Sequence, residues 1–417
     1  MRSLLLRSAV ALTLSTGLVV AGAAVPAAAS PALKGVTVHS LSNEDVAAMD
    51  RDLDAAQRLG ANVVRVDIWW AALEPVAKGD YAAWYLDRID RFFEAAAARG
   101  LKVLPTVLWS PCWASSAPTS VKQECAGGVV HAYPPANPGD YADFMSFLST
   151  RYNSKLAGIE VWNEPNLAGF FKSDDQAADY AALARAAYPA IKQAAPGLTV
   201  VAGGLSGADR PFLERLYAHG IKGHYDALAI HPYNGANAPE TIFSNPSWGF
   251  LQGVRHVRAG QLAAGDRAPL WITEFGWNTS TVRNGAPWAN GVSDQTQANY
   301  LKRGFELLRA PSEGYVGAVI SYNLRDSGSD RTAFGENTAC SGATSARSPP
   351  MTPFAAPSLR RRPGRRQTSR ARRRRPAGPP RPRHPLSRHR LSWHRVPWSD
   401  LHRRYAPGTE SSAVVER

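Results

Sequence analysis

The sequence predicts an α/β protein, a (β/α)8 TIM barrel, and three observations support this fold class. Between residues 33 and 325, short β-branched apolar runs alternate with segments of helical periodicity. Eight such runs occur, and their near-continuous apolar character is typical of parallel strands covered by helices. Eight units over about 290 residues fit the size of such a barrel. The alternative is a doubly wound open sheet, which is disfavoured because no glycine-rich phosphate loop follows the first run.

The strands are predicted in chain order, with amphipathic helices such as 81–100 and 293–310 between them. The eight strands are 34–40, 61–70, 101–109, 156–164, 198–204, 225–233, 268–277 and 314–324. In a barrel of this kind, active-site residues lie at the C-terminal ends of the strands. Polar and aromatic residues do gather there: His39, Arg65, Trp69, Trp109, Asn163, Glu164, His231, Tyr233, Glu274, Trp277, Tyr322 and Asp326.

Two of these strand ends carry a glutamate. Strand four runs into "WNEPN", which contains Glu164, and strand seven runs into "TEFGW", which contains Glu274. Because both strands are predicted to be parallel, both carboxyl groups face the same mouth of the barrel. Two carboxyl groups can protonate the leaving oxygen of a glycosidic bond and attack its anomeric carbon. The alternative is that each glutamate caps a helix or pairs with an arginine.

The order of these motifs resembles clan A of the retaining glycoside hydrolases. The "WNEPN" and "TEFGW" segments, the "HPY" at the end of strand six and Arg65 on strand two all match that group over about residues 34–326. The sequence is most similar to family 39, which includes β-xylosidases and bacterial endoglycosidases, and the cellulase-like family 5 is the second choice. The resemblance implies an enzyme that cleaves β-linked glycans without a cofactor or a metal.

The resemblance also implies a role for each matching residue. Glu164 would be the general acid/base and Glu274 the nucleophile. Asn163 would bind the sugar 2-hydroxyl, and Arg65 would hold the nucleophile ionised. His231 would position the carboxylates.

Further residues would complete the substrate-binding set. Tyr233 would help to position the carboxylates, and Trp109, Trp277 and Tyr322 would offer apolar faces to sugar rings. Tyr322 stands where many clan members have tryptophan. Packing beneath the mouth is the alternative for the two tryptophans, as a satisfied core position is for His231. Trp69 and Trp70 are adjacent, so at most one of them can point into a barrel.

The N-terminal segment 1–29 is predicted to be a signal peptide, so we expect a secreted protein without a membrane span after cleavage. We also expect a monomer. A basic start, an apolar stretch and Ala27-Ala28-Ala29 support this prediction. A retained membrane anchor is the alternative. In an oxidising compartment, Cys112 and Cys125 are expected to form a disulfide, with two unpaired thiols as the alternative and Cys340 left over.

The net positive charge of the chain comes entirely from its C-terminal segment. Residues 339–417 contain 19 Arg, no Lys and three acidic residues. Of the chain's 48 basic and 34 acidic residues, 29 and 31 therefore remain in 1–338, a net charge of −2. We therefore expect no nucleic-acid partner for the barrel, which is predicted to span 30–338. The tail is rich in Arg and Pro and cannot bury a core, which predicts disorder.

The tail does not supply the helix that should follow strand eight, nor a small C-terminal β domain. A shifted reading frame from Asn337 onward permits a translation similar to the "GLL…KPAY" ending of such barrels, so we hypothesise that the tail is out of frame. Two other classes of function stay open at this point. One is a catalytically impaired carbohydrate-binding barrel, and the other is an adhesion protein whose basic tail binds cell-wall polymer or nucleic acid.

Overall fold

The computed structural model describes residues 33–41, 46–123, 125, 128–283, 290–326 and 338. Eight parallel strands close into a barrel in the order β1 to β8, which confirms the predicted fold class. The strands are β1 (Leu33–Thr37), β2 (Val63–Trp69), β3 (Lys102–Leu108), β4 (Ile159–Val161), β5 (Val200–Ser206), β6 (Ala227–His231), β7 (Leu270–Ile272) and β8 (Val316–Ser321). All eight predicted strands are present; β5 is as long as its predicted run but starts two residues later, and the other seven are shorter than theirs.

Nine α-helices lie within the described residues. They are α1 (Val46–Arg58), α2 (Trp70–Leu73), α3 (Ala83–Ala98), α4 (Thr119–Lys122), α5 (Pro138–Tyr152), α6 (Gln176–Ala194), α7 (Arg210–Ala218), α8 (Leu251–Ala263) and α9 (Asp294–Leu308). All nine lie in the seven connections between successive strands, and α3 and α9 confirm the two helices predicted from periodicity. No described helix is both long and apolar enough to cross a bilayer.

Two helices on the outside of the barrel begin directly after an aspartate that caps them. Asp175 accepts a hydrogen bond from the backbone N–H of Ala178 at the start of α6, and Asp209 does the same for Phe212 at the start of α7. These side chains satisfy backbone donors that a helix N-terminus leaves without intrahelical partners. Each aspartate thereby fixes the residue at which its helix begins.

The barrel interior changes from apolar to polar toward the mouth. Its apolar layers form one cluster, made of Val63, Leu104, Val201, Ala227, Ala229, Trp271, Ala318 and Ile320. Above them lie buried polar side chains, among them Arg65, Thr106, Glu160 and Thr273. Burying such groups is costly unless they bond to one another, so this layer must be a connected network.

Several predictions fall on residues outside the described ones. These are the signal peptide at 1–29, the tail at 339–417 with Cys340, and the helix expected after β8. The limits of the barrel at 30 and 338 also stay predictions. Thr338 is described: it is buried, and its carbonyl accepts a hydrogen bond from the backbone N–H of Asn323.

Candidate active site

Glu164 and Glu274 lie at the same mouth, just beyond the ends of β4 and β7. One carboxylate oxygen of each, together with a ring nitrogen of His231, lies within 4.8 Å of the others. Both glutamates are buried: 6% of the surface of Glu164 and 8% of the surface of Glu274 is exposed to solvent. The structure thus brings together the two glutamates that the sequence analysis singled out.

Arg65 on β2 lies at the centre of the polar network. Its Nη1 donates to Glu274 Oε1 at 2.6 Å, its Nη2 donates to Asn163 Oδ1 at 2.7 Å, and its Nε donates to Glu160 Oε2 at 2.7 Å. Burial opposes the charge of Arg65, but Glu160 and Glu274 outweigh it and raise the pKa of the guanidinium. Such charge-assisted bonds fix the geometry of all three partners.

Glu274 is held by two donors, since Tyr233 Oη donates to its Oε2 at 2.9 Å while Arg65 bonds to Oε1. Burial raises the pKa of Glu274, while the charge of Arg65 and the bond from Tyr233 act in the opposite direction. The carboxylate is therefore oriented on both oxygens.

His231 contacts the other glutamate. Its Nδ1 lies 3.0 Å from Glu164 Oε1 and 3.7 Å from Glu274 Oε2, and its Nε2 lies 3.1 Å from Thr273 Oγ1. Burial lowers the pKa of His231, which favours the neutral imidazole. A purely structural core position does not describe His231 fully, because its ring contacts both the buried network and a carboxyl group of the candidate site.

The backbone at the mouth is unusual at the residues that matter here. Glu164 has φ 42°, and Trp109 and Trp162 have φ 70° and 66°. Non-glycine residues in the left-handed region are uncommon and are held there by their surroundings. Gly204 lies beside them at φ 59°, and a Cβ there would lie 3.1 Å from both Glu160 Oε1 and His231 Nε2. A larger residue at this position would crowd the network.

The predicted aromatic residues are not placed alike. The half-buried Trp109 stacks on Phe170, with 5.6 Å between ring centroids. Tyr322 is 4% exposed and meets His39 edge to face at 5.5 Å. Trp277 is only 1% exposed, and its Nε1 donates to a backbone carbonyl at 2.8 Å. Its surroundings favour the packing role that the sequence left open.

The adjacent tryptophans at the end of β2 separate as expected. Trp70 is fully buried among the outer helices, where its Nε1 donates to Glu74 Oε2 at 2.6 Å, while the half-buried Trp69 follows Arg65 on the inner face. The loop after β3 contains the predicted disulfide, which joins Cys112 to Cys125.

Two buried polar residues in this layer, Glu160 and Thr273, and the half-buried Asp67 were missed by the sequence analysis. Glu160 on β4 bonds to Arg65 and Thr106, and Thr273 bonds to Glu160 and His231. Asp67 on β2 is in register with Thr106 on β3, and Thr106 is in register with Glu160 on β4. Residues in register on neighbouring strands lie on the same face of the sheet, so Asp67 shares the inner face of the barrel with Glu160. Charged residues inside apolar runs were the available signal.

Among the described residues, one group of three potential metal ligands is close enough to hold an ion, namely Glu164, His231 and Glu274. The donor chemistry does not favour a cation there. The Arg65 charge lies 2.6 Å from Glu274, and both oxygens of that carboxylate already accept hydrogen bonds. The arrangement instead suits acid/base and nucleophilic chemistry by two carboxyl groups.

Comparison with solved structures shows the same fold. The family 39 glycoside hydrolase from the gut symbiont Bacteroides cellulosilyticus WH2 is 22% identical, with a TM-score of 0.57 over 73% of this chain and 59% of that one. The GH39 enzyme from Xanthomonas axonopodis pv. citri is 19% identical, with a TM-score of 0.51 over 74% and 60%. The GH39 β-xylosidase from Caulobacter crescentus is 21% identical, with a TM-score of 0.51 over 74% and 63%.

The chain spans about three fifths of the length of these structures. At such identities the likeness establishes the fold alone. No curated protein sequence matches the chain. A sequence model of the cellulase family, glycosyl hydrolase family 5, matches residues 23–323, most of the chain. The resemblance to clan A is thereby confirmed, and the second-choice family is the one whose model matches: the chain belongs to glycosyl hydrolase family 5.

Proposed function

We propose that the chain is an exported retaining glycoside hydrolase that cleaves β-linked oligo- or polysaccharides by double displacement. The observation that carries this proposal is the separation of the two carboxyl groups, whose nearest oxygens lie within 4.8 Å. Retaining enzymes hold their carboxyl groups about 5–5.5 Å apart, whereas inverting enzymes leave about 6.5–9.5 Å for a water molecule.

In the first step, Glu274 attacks the anomeric carbon while Glu164 protonates the departing glycosidic oxygen. The product is a covalent glycosyl ester of Glu274, and the leaving alcohol carries the proton. In the second step, Glu164 removes a proton from water, the water oxygen attacks the anomeric carbon, and the ester bond breaks. Glu274 is thereby restored as a carboxylate and Glu164 as an acid.

The network supports these roles. Arg65 and Tyr233 direct both oxygens of Glu274, so the nucleophile cannot rotate away from the anomeric carbon. Arg65 also binds the Oδ1 of Asn163, which leaves the Nδ2 of that amide as the donor for a sugar 2-hydroxyl. Trp109 supplies a half-exposed ring at the rim for sugar stacking.

The experiment is hydrolysis by the full chain across aryl β-glycosides and plant and bacterial polysaccharides, beside Glu164→Gln and Glu274→Gln. We expect sugar release by the wild type and its loss in both variants. Proton NMR of the first product should show the β-anomer. An α-anomer, or hydrolysis that survives in Glu274→Gln, would refute double displacement. Glycan binding without hydrolysis by a folded wild type would instead favour an impaired binding barrel.

Export has its own test. The basic start and Ala27-Ala28-Ala29 support cleavage near Ser30. After expression in a secreting host, the protein should be found in the culture medium. Mass spectrometry should identify Ser30 as its N-terminal residue. A chain that stays with the cells and keeps residues 1–29 would contradict export and favour the retained anchor.

A further inference from the structure

Glu160 is a fully buried carboxyl group beneath the two site glutamates, and the two chemical steps do not use it. Its Oε2 accepts from Arg65 Nε at 2.7 Å and from Thr106 Oγ1 at 2.5 Å, and its Oε1 accepts from Thr273 Oγ1 at 2.8 Å. Burial alone would raise the pKa of Glu160, but the adjacent Arg65 charge and these bonds outweigh it and lower the pKa. Glu160 is therefore an ionised group that can only accept hydrogen bonds.

The ionised state of Glu160 fixes the direction of the next bond. A threonine hydroxyl has one proton, and the Thr273 proton points at Glu160 Oε1. The same Thr273 oxygen lies 3.1 Å from His231 Nε2. With its proton already committed, Thr273 can only accept from the ring, so His231 must carry its proton on Nε2.

The ring then presents a lone pair at its other nitrogen. A neutral imidazole protonated on Nε2 can only accept at Nδ1, and Glu164 Oε1 lies 3.0 Å from Nδ1. A bond at this distance requires a proton on Glu164. We propose that Glu160, acting through Thr273, selects the His231 tautomer that keeps the proton of the general acid on Glu164.

Glu160 and Thr273 are thus positioning residues. The inference rests on the proposed function for the role of Glu164, while the tautomer itself follows from the hydrogen bonds, the ionised Glu160 and the neutral imidazole. Glu164 and His231 are faced by charged or titratable side chains from several strand ends. These are Arg65 and Asp67 from β2, Glu160 from β4, Tyr233 from β6, Glu274 from β7 and Tyr322 from β8. Of this set, Arg65 is the permanent cation, and it bonds to Glu160 and Glu274 rather than to His231.

The chain offers a matched pair of variants. Thr273→Val removes the hydroxyl that links Glu160 to His231, whereas Thr106→Val removes an equally buried hydroxyl that bonds to Glu160 but not to the ring. Thr273→Ser keeps the linking hydroxyl. The first readout is the imidazole tautomer at neutral pH, from proton–nitrogen NMR of the full chain, with the His231 signals assigned by their absence in His231→Gln. The second is the pH profile of kcat/KM on an aryl β-glycoside.

We expect wild type, Thr106→Val and Thr273→Ser to show the Nε2-protonated ring. Thr273→Val should lose this preference, and the basic limb of its pH profile should move down by roughly 0.5–1 pH unit, the value of one hydrogen bond. A Thr106→Val protein with the same change as Thr273→Val would overturn the proposal. So would a wild-type ring protonated on Nδ1 or on both nitrogens.

Glu160→Gln gives a second, independent reading. Arg65 Nε can only donate and therefore requires the amide oxygen at the Oε2 position, so the amide nitrogen must face Thr273. The bond direction then reverses along the chain, and His231 should become protonated on Nδ1. A ring that stays protonated on Nε2 in folded Glu160→Gln would refute the mechanism. If the wild type hydrolyses no glycoside, the proposed function fails, while the tautomer readout still decides this inference.

Discussion

Arg65 and Glu274 are 209 residues apart in the chain, yet Arg65 Nη1 donates to Glu274 Oε1 at 2.6 Å in the buried mouth of the barrel. The contact joins β2 to the loop after β7 across the barrel interior. The same guanidinium also bonds to Glu160 and Asn163, so one side chain fixes three site residues. Its planar fork, rather than its charge alone, makes this possible.

Arg65→Lys should lower kcat by about 100-fold or more, because a single ammonium cannot hold Glu274, Asn163 and Glu160 at once. Arg65 also lowers the pKa of Glu274 against the effect of burial. With a weaker bond that pKa rises, so the acidic limb of the kcat/KM profile should move to higher pH. Steady-state kinetics between pH 4 and 8, at about pH 0.5 intervals, would measure both effects.

The matched control is Arg303→Lys, since Arg303 is half exposed and pairs with Glu240 on the surface. It should leave kcat and the pH limbs unchanged, because exposed pairs contribute little. Equal kinetics for Arg65→Lys and Arg303→Lys would contradict the role given to the fork. Far-UV circular dichroism would check that both variants are folded.

His39 should make stability depend on pH. Burial, with the nearby Arg65 charge, lowers its pKa from 6.5 to about 4. The unfolded chain therefore takes up this proton first as pH falls, so the stabilising contribution is complete above pH 6.5 and is lost toward pH 4. Between pH 7 and 4.5 the wild type should lose about 1–3 kcal/mol more unfolding free energy than His39→Gln. Urea unfolding at both pH values would measure this difference.

His219→Gln provides the comparison, because His219 is 40% exposed on the surface. The unfolding free energy of the His219→Gln variant should decrease as the pH is lowered, by the same amount as that of the wild type. If His39→Gln also retains the full pH dependence, His39 is not the group responsible.

The fold could be predicted because its signals are local and repeated. Each strand is an apolar run between polar segments, and eight of them in alternation with helices leave few arrangements. Glu164 and Glu274 could be predicted as partners because the parallel strands of a barrel present their C-terminal ends at one mouth. The strand ends were less certain: β4 and β7 have only three residues each, since their last predicted residues turn away into the site loops.

The network below the glutamates could not be predicted, because it depends on contacts between distant strands. Glu160 and Thr273 are 113 residues apart, and nothing local marks their bond. Trp277 shows the opposite problem. Its position at a strand end matched the substrate-binding pattern, but its ring packs into a cluster of aromatic side chains that only the assembled helices create.

The disulfide between Cys112 and Cys125 should stabilise the loop after β3. It closes a loop across a sequence separation of 13 residues, for which chain entropy alone predicts about 3 kcal/mol. Reductant should therefore lower the melting temperature of the wild type. The Cys112→Ser/Cys125→Ser double variant should show the lower temperature with or without reductant. A double variant that melts with the oxidised wild type would show that the bond does not contribute.

Trp109 and Trp277 should respond differently to truncation, although the sequence suggested the same role for both. Trp277 is 1% exposed and packs on Phe250 and Tyr300, so Trp277→Ala leaves a cavity and should cost about 3–5 kcal/mol of unfolding free energy. Trp109 is half-buried at the rim, so Trp109→Ala should cost less stability and should raise KM several-fold by removing a stacking surface for sugar. Urea unfolding and steady-state kinetics on both variants, with Trp277→Phe as a less severe change that keeps an aromatic ring, separate the two roles. A larger rise in KM for a folded Trp277→Phe protein than for Trp109→Ala would reverse the assignment and place Trp277 among the groups that contact substrate.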